Sequence, residues 1–213
     1  MALALRSGLH YRRFDAEYVF FDLAADRYFL LSGVAANRFG RFVSGRASAA
    51  DHEHLLASDI LAEGSGRAMR DGCNPATVTA SLIDAPLADA PLGTAVASVW
   101  AQARARRDLR LRSLADIVGA FGDKRFNLSS RDDKVCGEIA AAFLRVRRYA
   151  PAIDQCLARG IAMKRMLMRR GCAVSLVFGV TMPFAAHCWV QAGETVLTDP
   201  LDIVLHYQPI FAV

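Results

Sequence analysis

Residues 171–192 read GCAVSLVFGVTMPFAAHCWVQA, 22 positions without an Asp, Glu, Lys or Arg. That length would cross a bilayer as a helix. The residue types point elsewhere. Val174, Leu176, Val177 and Val180, then Phe184, Trp189 and Val190, are strand formers in two short runs, and Thr181-Met182-Pro183 between them makes a turn. The stretch therefore reads as two buried strands. Glu194 to Asp199 follows as a further strand, and a last one is expected near Ile203–Tyr207.

Upstream of this sheet the periodicity is helical. Residues 94–107, 111–121 and 133–149 carry helical apolar spacing and good helix formers. A fourth helix is expected over about residues 153–170. Arg169-Arg170-Gly171 would close it, with cations at the negative end of the dipole and a glycine just past it. Helices first and an antiparallel sheet after them make an α+β domain over residues 94–213.

The N-terminal region has its own pattern. His10 to Phe14, Glu17 to Leu23 and Arg27 to Leu31 read as three strands, with a short turn at Ala24-Ala25-Asp26. Ser32 caps a helix running to about Ser44, and Ser48 caps a second with Leu55, Leu56, Ile60 and Leu61 as its apolar face. Three strands and then helices make a winged-helix-like α+β unit over residues 1–64. Between the two domains, residues 65–93 are broken by Gly66, Gly72, Pro75, Pro86 and Pro91 and read as a linker.

With 54% of 213 residues hydrophobic, a disordered chain is excluded. The net charge of +5 divides unevenly: residues 1–64 hold 7 basic and 8 acidic side chains, the remainder 19 and 13. The excess lies in Arg104, Arg106, Arg107, Arg110, Arg112, Arg145, Arg147 and Arg148. Without interleaved aromatics these read as solvated helix faces, and neither nucleic acid nor membrane is expected as a partner. The cysteines at 73, 136, 156, 172 and 188 form no Cys-x-x-Cys pair, which excludes a zinc ribbon and a thioredoxin-like site. Unpaired thiols and a start without signal-peptide order imply a cytoplasmic protein.

The chemistry-bearing constellation is Cys156, His187 and Asp199. Cys156 falls in the first turn of the fourth helix, where the positive dipole end favours a thiolate. His187 is mid-strand and Asp199 ends the next strand. A three-residue loop at Ala192-Gly193-Glu194 would set Asp199 directly across from His187; a two-residue Gly193-Glu194 turn would set it opposite Cys188 instead. A carboxylate beside the imidazole would hold the tautomer that accepts the thiol proton.

Cys156-Leu157-Ala158-Arg159, Met163, Leu167 and Arg169-Arg170-Gly171 resemble the Cys-Leu-x-Arg helix of lasso-peptide maturation B proteins. These are leader peptidases of the transglutaminase-like cysteine protease superfamily. Phe178-Gly179-Val180, Phe184 to Val190 and Val196 to Asp199 are similar to the family's later blocks. Departures are Gly160 where serine is usual, Cys188 where alanine is usual and Gln191 where glutamate is common. The resemblance implies a transglutaminase/papain-like domain with Cys156 as nucleophile, His187 as base and Asp199 as its orienter. It implies no metal or cofactor. The N-terminal part is similar to small leader-recognition domains related to a pyrroloquinoline-quinone biosynthesis chaperone. That similarity implies capture of a ribosomal precursor's leader by strand addition along Asp26, Arg27, Tyr28, Phe29, Leu30 and Leu31. A DNA-binding winged helix is the alternative, against which the local charge argues. The resemblance further implies that the freed core peptide passes to an ATP-dependent, asparagine-synthetase-like cyclase. A transglutaminase-type acyltransferase with the same triad and a non-enzymatic precursor escort remain open.

Overall fold

The computed structural model describes residues 3–64, 75–122, 132–147 and 156–213. The chain divides into two compact units, Met1–Cys73 and Asn74–Val213, each with its own core. Both are α+β.

The first unit opens with β1 (Leu3–Leu5), then the strands β2 (Leu9–Phe14), β3 (Glu17–Asp22) and β4 (Arg27–Leu31). These three form an antiparallel sheet with β3 at its centre, and Asp15 and Asp26 take positive φ at the two turns. Helices α1 (Gly33–Val43) and α2 (Ala49–Ala57) follow, and β5 (Leu61–Glu63) returns to pair with β1. That small β1–β5 sheet was not legible as strands, because three residues carry too little alternation. Ser48 and Asp51 form a reciprocal capping box that starts α2. Leu9, Tyr11, Tyr18, Phe20, Phe39, Leu55, Ile60 and Leu61 make the core. Phe39 sits edge-on to Tyr11, Tyr18 and Phe20, the favoured aromatic geometry.

The second unit begins inside the stretch expected as linker. Residues 65–74, Cys73 among them, lie outside the described residues. Beyond them β6 (Ala80–Ser81) pairs in parallel with a later strand and runs into a 3-10 turn at Leu82–Asp84. The prolines at 86 and 91 limit regular structure, but two ladder positions suffice to tie this segment to the sheet. Then come α3 (Leu92–Leu111), α4 (Leu114–Gly122), α5 (Asp133–Arg147) and α6 (Cys156–Arg169). Strands β7 (Ser175–Thr181) and β8 (Ala185–Ala192) follow. Among the described residues no helix is long and apolar enough to cross a membrane.

The chain then departs from expectation twice. Strand β9 is only Thr195–Val196, and residues 201–205 form a helix, α7 (Leu201–Leu205), where a strand was expected near 203–207. Pro200 precedes that helix, and the Asp84 carboxylate accepts the Leu201 N–H at 3.2 Å, an interaction invisible to local pattern. Strand β10 (Gln208–Ala212) completes a five-stranded sheet in the order β10-β7-β8-β9-β6. Helix α6 packs on β7 and β8. Val177, Trp189, Val196 and Val204 form a buried cluster with Tyr207 packed against it.

Candidate active site

Cys156 opens α6, His187 sits near the start of β8, and Asp199 lies in the bend between β9 and α7. The structure brings the three together. His187 Nε2 stands 3.4 Å from Asp199 Oδ2, an ion-pair contact rather than a short hydrogen bond. Both atoms are buried, and neither has a hydrogen-bond partner among the described residues. They therefore face each other as a reserved pair. Cys156 interacts with the same imidazole, which leaves Nδ1 as the nitrogen for sulfur.

The register that places Asp199 is not the one that would set it across from His187. Gln191 pairs with Val196 and Ala192 with Thr195, so the hairpin closes on two residues, Gly193-Glu194. Gly193 has φ +57, as primed hairpin turns require at their first position. Continued regularly, that ladder would face Asp199 to Cys188. It does not continue. Leu197 still donates to Val190 O at 2.8 Å, but Thr198 Oγ1 takes over the Val190 N–H at 3.1 Å and the chain bends out of the strand. Ser81 Oγ donates to Asp199 O at 2.7 Å and Asp84 holds Leu201, so β6 and its 3-10 turn grip the backbone on both sides of the carboxylate.

Arg159 completes the support. Its Nη2 meets Asp199 Oδ1 at 2.7 Å, with both side chains largely buried. One carboxylate oxygen thus belongs to a cation and the other is left for the imidazole. Arg159 is three residues after Cys156 on the same helix face, a spacing that could have signalled a shared site.

Cys188 follows His187 on β8. It is buried, and its side chain and backbone both favour the thiolate of Cys156. Cys188 Sγ lies beneath α6, 3.8 Å from where a Cβ on Gly160 would stand. Its adjacency to His187 was the only signal available. Tyr207, also unassigned from sequence, packs on the His187 ring at 5.2 Å between centroids. Gly179, which pairs with His187 across the strands, makes room for that side chain. A Cβ there would stand 2.5 Å from the Trp189 ring and 2.9 Å from Tyr207 Cβ.

The electrostatics follow from these contacts. Hydrogen bonds from the Cys188 thiol, from His187 and from the Cys188 backbone outweigh burial and bring the Cys156 thiol down to about 4. Burial disfavours a charge on His187, yet Asp199 and Cys156 outweigh it and raise the imidazole to about 9. Asp199 is also desolvated, and His187 and Arg159 hold it ionised nonetheless. The hydrogen bond to Cys156 and burial push the Cys188 thiol up. At neutral pH the site is a thiolate–imidazolium pair backed by a carboxylate, an arrangement able to attack a carbonyl carbon and protonate a leaving amine.

The residues expected to take a leader lie in the first unit. Asp26 is in the β3–β4 turn at φ +49, and Arg27 to Leu31 form β4. This strand is an edge: among the described residues it pairs with β3 alone. Leu30 is 46% exposed, and Phe29 stacks on Phe20. Cys136 and Cys172 are buried thiols outside any disulfide among the described residues. Among the described residues no three His, Cys, Asp or Glu side chains converge as a metal site.

No curated protein and no solved structure matches the chain. A family model described as transglutaminase-like superfamily matches residues 99–212, from the middle of α3 to the last residue of β10. That superfamily usually contains cysteine peptidases and acyltransferases. The match takes in Cys156, Arg159, His187, Cys188 and Asp199 and covers more than half of the protein, and the chain belongs to the transglutaminase-like superfamily.

Proposed function

We propose that the protein is a cytoplasmic cysteine peptidase that removes the leader from a ribosomal precursor peptide in lasso-peptide biosynthesis. The observation that carries the chemistry is the reserved 3.4 Å contact between His187 Nε2 and Asp199 Oδ2, with Cys156 on the same imidazole. In this reading the Cys156 thiolate attacks the carbonyl carbon at the leader–core junction and a C–S bond forms. Backbone N–H groups at the start of α6, that of Cys156 included, stabilise the oxyanion. The imidazolium gives its Nδ1 proton to the amine as the C–N bond breaks, which releases the core peptide. Neutral His187 then takes a proton from water. The resulting hydroxide cleaves the thioester and restores the thiolate. Asp199 keeps the ring oriented through both steps and Arg159 keeps Asp199 in place.

The leader is captured by the first unit, by strand addition at the β4 edge along Asp26 to Leu31. An edge strand offers unpaired N–H and C=O groups at alternate residues, and the exposed Leu30 supplies an apolar contact. The freed core is then the substrate of a separate ATP-dependent cyclase.

The test is incubation of the full chain with the precursor peptide encoded beside such a cyclase, read by mass spectrometry. Hydrolysis yields leader and core with one water added, and Cys156→Ala yields neither. A product carrying an added amine in place of water would make the protein an acyltransferase. Full biological function retained by Cys156→Ala would make it an escort. Anisotropy of a labelled leader peptide, lost on Leu30→Glu with the melting curve unchanged, tests the β4 edge separately.

A further inference from the structure

Cys188 is not needed for acyl chemistry in the scheme above. Its Sγ nonetheless lies beneath α6, 3.8 Å from where a Cβ on Gly160 would stand, one helical turn along the same face from Cys156. The two sulfurs also differ in access: Cys156 is partly exposed, whereas Cys188 is 3% exposed beneath α6. A reactive thiolate open to small molecules, backed by a sheltered thiol within reach, is the arrangement that converts oxidation into a disulfide rather than damage.

We propose that Cys156 and Cys188 form a reversible oxidation site whose oxidant is hydrogen peroxide. The Cys156 thiolate attacks one peroxide oxygen, the O–O bond breaks, and hydroxide leaves and is protonated to water. Cys156 is now a sulfenic acid. Cys188 loses its proton and attacks the Cys156 sulfur, the S–O bond breaks, a second water leaves, and an S–S bond joins α6 to β8. Two thiols have given two electrons and the peroxide has been reduced to two waters.

The site orders these steps itself. While Cys156 is a thiolate, its charge and its hydrogen bond hold the proton on Cys188. A sulfenic acid is neutral, so that restraint disappears when the first step is complete, while the nearby Arg159 guanidinium still favours a Cys188 thiolate. Resolution therefore follows oxidation and does not compete with it. The outcome is a protected enzyme: the nucleophile is masked while peroxide is present and returns on reduction.

The inference needs only a reactive Cys156, whatever acyl group it handles, and its test reads thiols rather than cleavage. Reduced full-length protein is treated in oxygen-free buffer with two molar equivalents of hydrogen peroxide, blocked with iodoacetamide and mapped by mass spectrometry. The expected product is the Cys156–Cys188 linked peptide, lighter by two hydrogens, with both thiols lost from alkylation together. Dithiothreitol should restore both. In Cys188→Ser, which keeps a hydroxyl donor but cannot form the bond, Cys156 should pass to sulfinic acid and resist dithiothreitol. The proposal is overturned if wild-type Cys156 accumulates as sulfinic acid with Cys188 still alkylatable. A link from Cys156 to Cys73 or Cys172 instead would overturn it equally. Loss of peptide cleavage without these thiol changes would bear on the peptidase reading alone.

Discussion

Asp51 in the first unit and Asp199 in the second are both buried aspartates gripped by an arginine, and they are put to different ends. Asp51 is saturated. Its Oδ1 meets Arg41 Nη2, its Oδ2 accepts from Arg41 Nε at 2.8 Å, and Ser48 adds its backbone N–H at 3.0 Å and its hydroxyl at 2.9 Å. Both oxygens are spent on starting α2 and tying it to α1. Asp199 gives Oδ1 to Arg159 and keeps Oδ2 for a histidine 3.4 Å away. Charge, burial and partner type alone would class the two together. The oxygen left for a group that can gain and lose a proton separates them. A structural carboxylate resists titration because it has many donors; a working one must respond to its neighbour's charge.

The sharpest way to break this comparison is to remove both charges in parallel. Asp199→Asn should lower acyl turnover by about three to four orders of magnitude, since the ring loses its orienting anion. Asp51→Asn should lower the melting temperature of the first unit and leave turnover by the second unchanged. Kinetics and calorimetry on both variants decide it, and equal kinetic losses would erase the distinction.

The arginines come next. Arg159→Met should reduce turnover by about tenfold to a hundredfold, because an unanchored Asp199 orients His187 poorly. Loss of that cation also leaves more negative charge facing the imidazole. The alkaline limb of the rate profile should therefore move upward, and Arg159→Lys should restore part of both effects. In the wild type, acyl turnover should hold between the Cys156 value of about 4 and the His187 value of about 9. It falls at the acid end as the thiolate is protonated and at the alkaline end as the imidazolium loses its proton. Alkylation of Cys156 should share the acid limb but persist above pH 9, where the thiolate remains. A shared alkaline limb would contradict the assigned roles.

The three candidate catalytic residues could be named from the sequence; their geometry, and the supporting Arg159, Cys188 and Tyr207, could not. A cysteine at a helix start, a histidine in a strand and an aspartate after the next strand are local signals, and the structure places all three together. How Asp199 gets there depends on long-range contacts. Ser81 and Asp84 come from a segment whose prolines read as linker, and Thr198 ends the β8–β9 ladder with a side chain that replaces a backbone acceptor. Local periodicity cannot register either event. The same Asp84 contact turns residues 201–205 into α7 where apolar residues suggested a strand. In the first unit the strands β2 to β4 were legible because polar turns bound them on both sides. The β1–β5 pair was not, since its two strands lie at opposite ends of that unit.

Two smaller perturbations sharpen the contrast further. Ser81→Ala removes the 2.7 Å bond to Asp199 O and should slow turnover by about tenfold, with little change in melting because the lost bond is worth only about 1 kcal/mol. Ser48→Ala breaks the capping box and should destabilise the first unit by about 1 kcal/mol, with no kinetic effect on the second. Urea melts and steady-state rates on the same two proteins make the comparison direct.

The grip of β6 on the Asp199 bend also has a consequence in time. Ser81 and Asp199 are 118 residues apart in the chain, so their bond closes one of the longest loops in this unit. Contacts of such separation form late, after helices and hairpins have found their local partners. During synthesis Ser81, Cys156 and His187 all leave the ribosome before Asp199 does. A nascent chain thus presents a thiol and an imidazole with no anion to align them. In the proposed reading the nucleophile acquires its orienting carboxylate only as the second unit closes on itself, so maturation of the fold and switching-on of the site are one event.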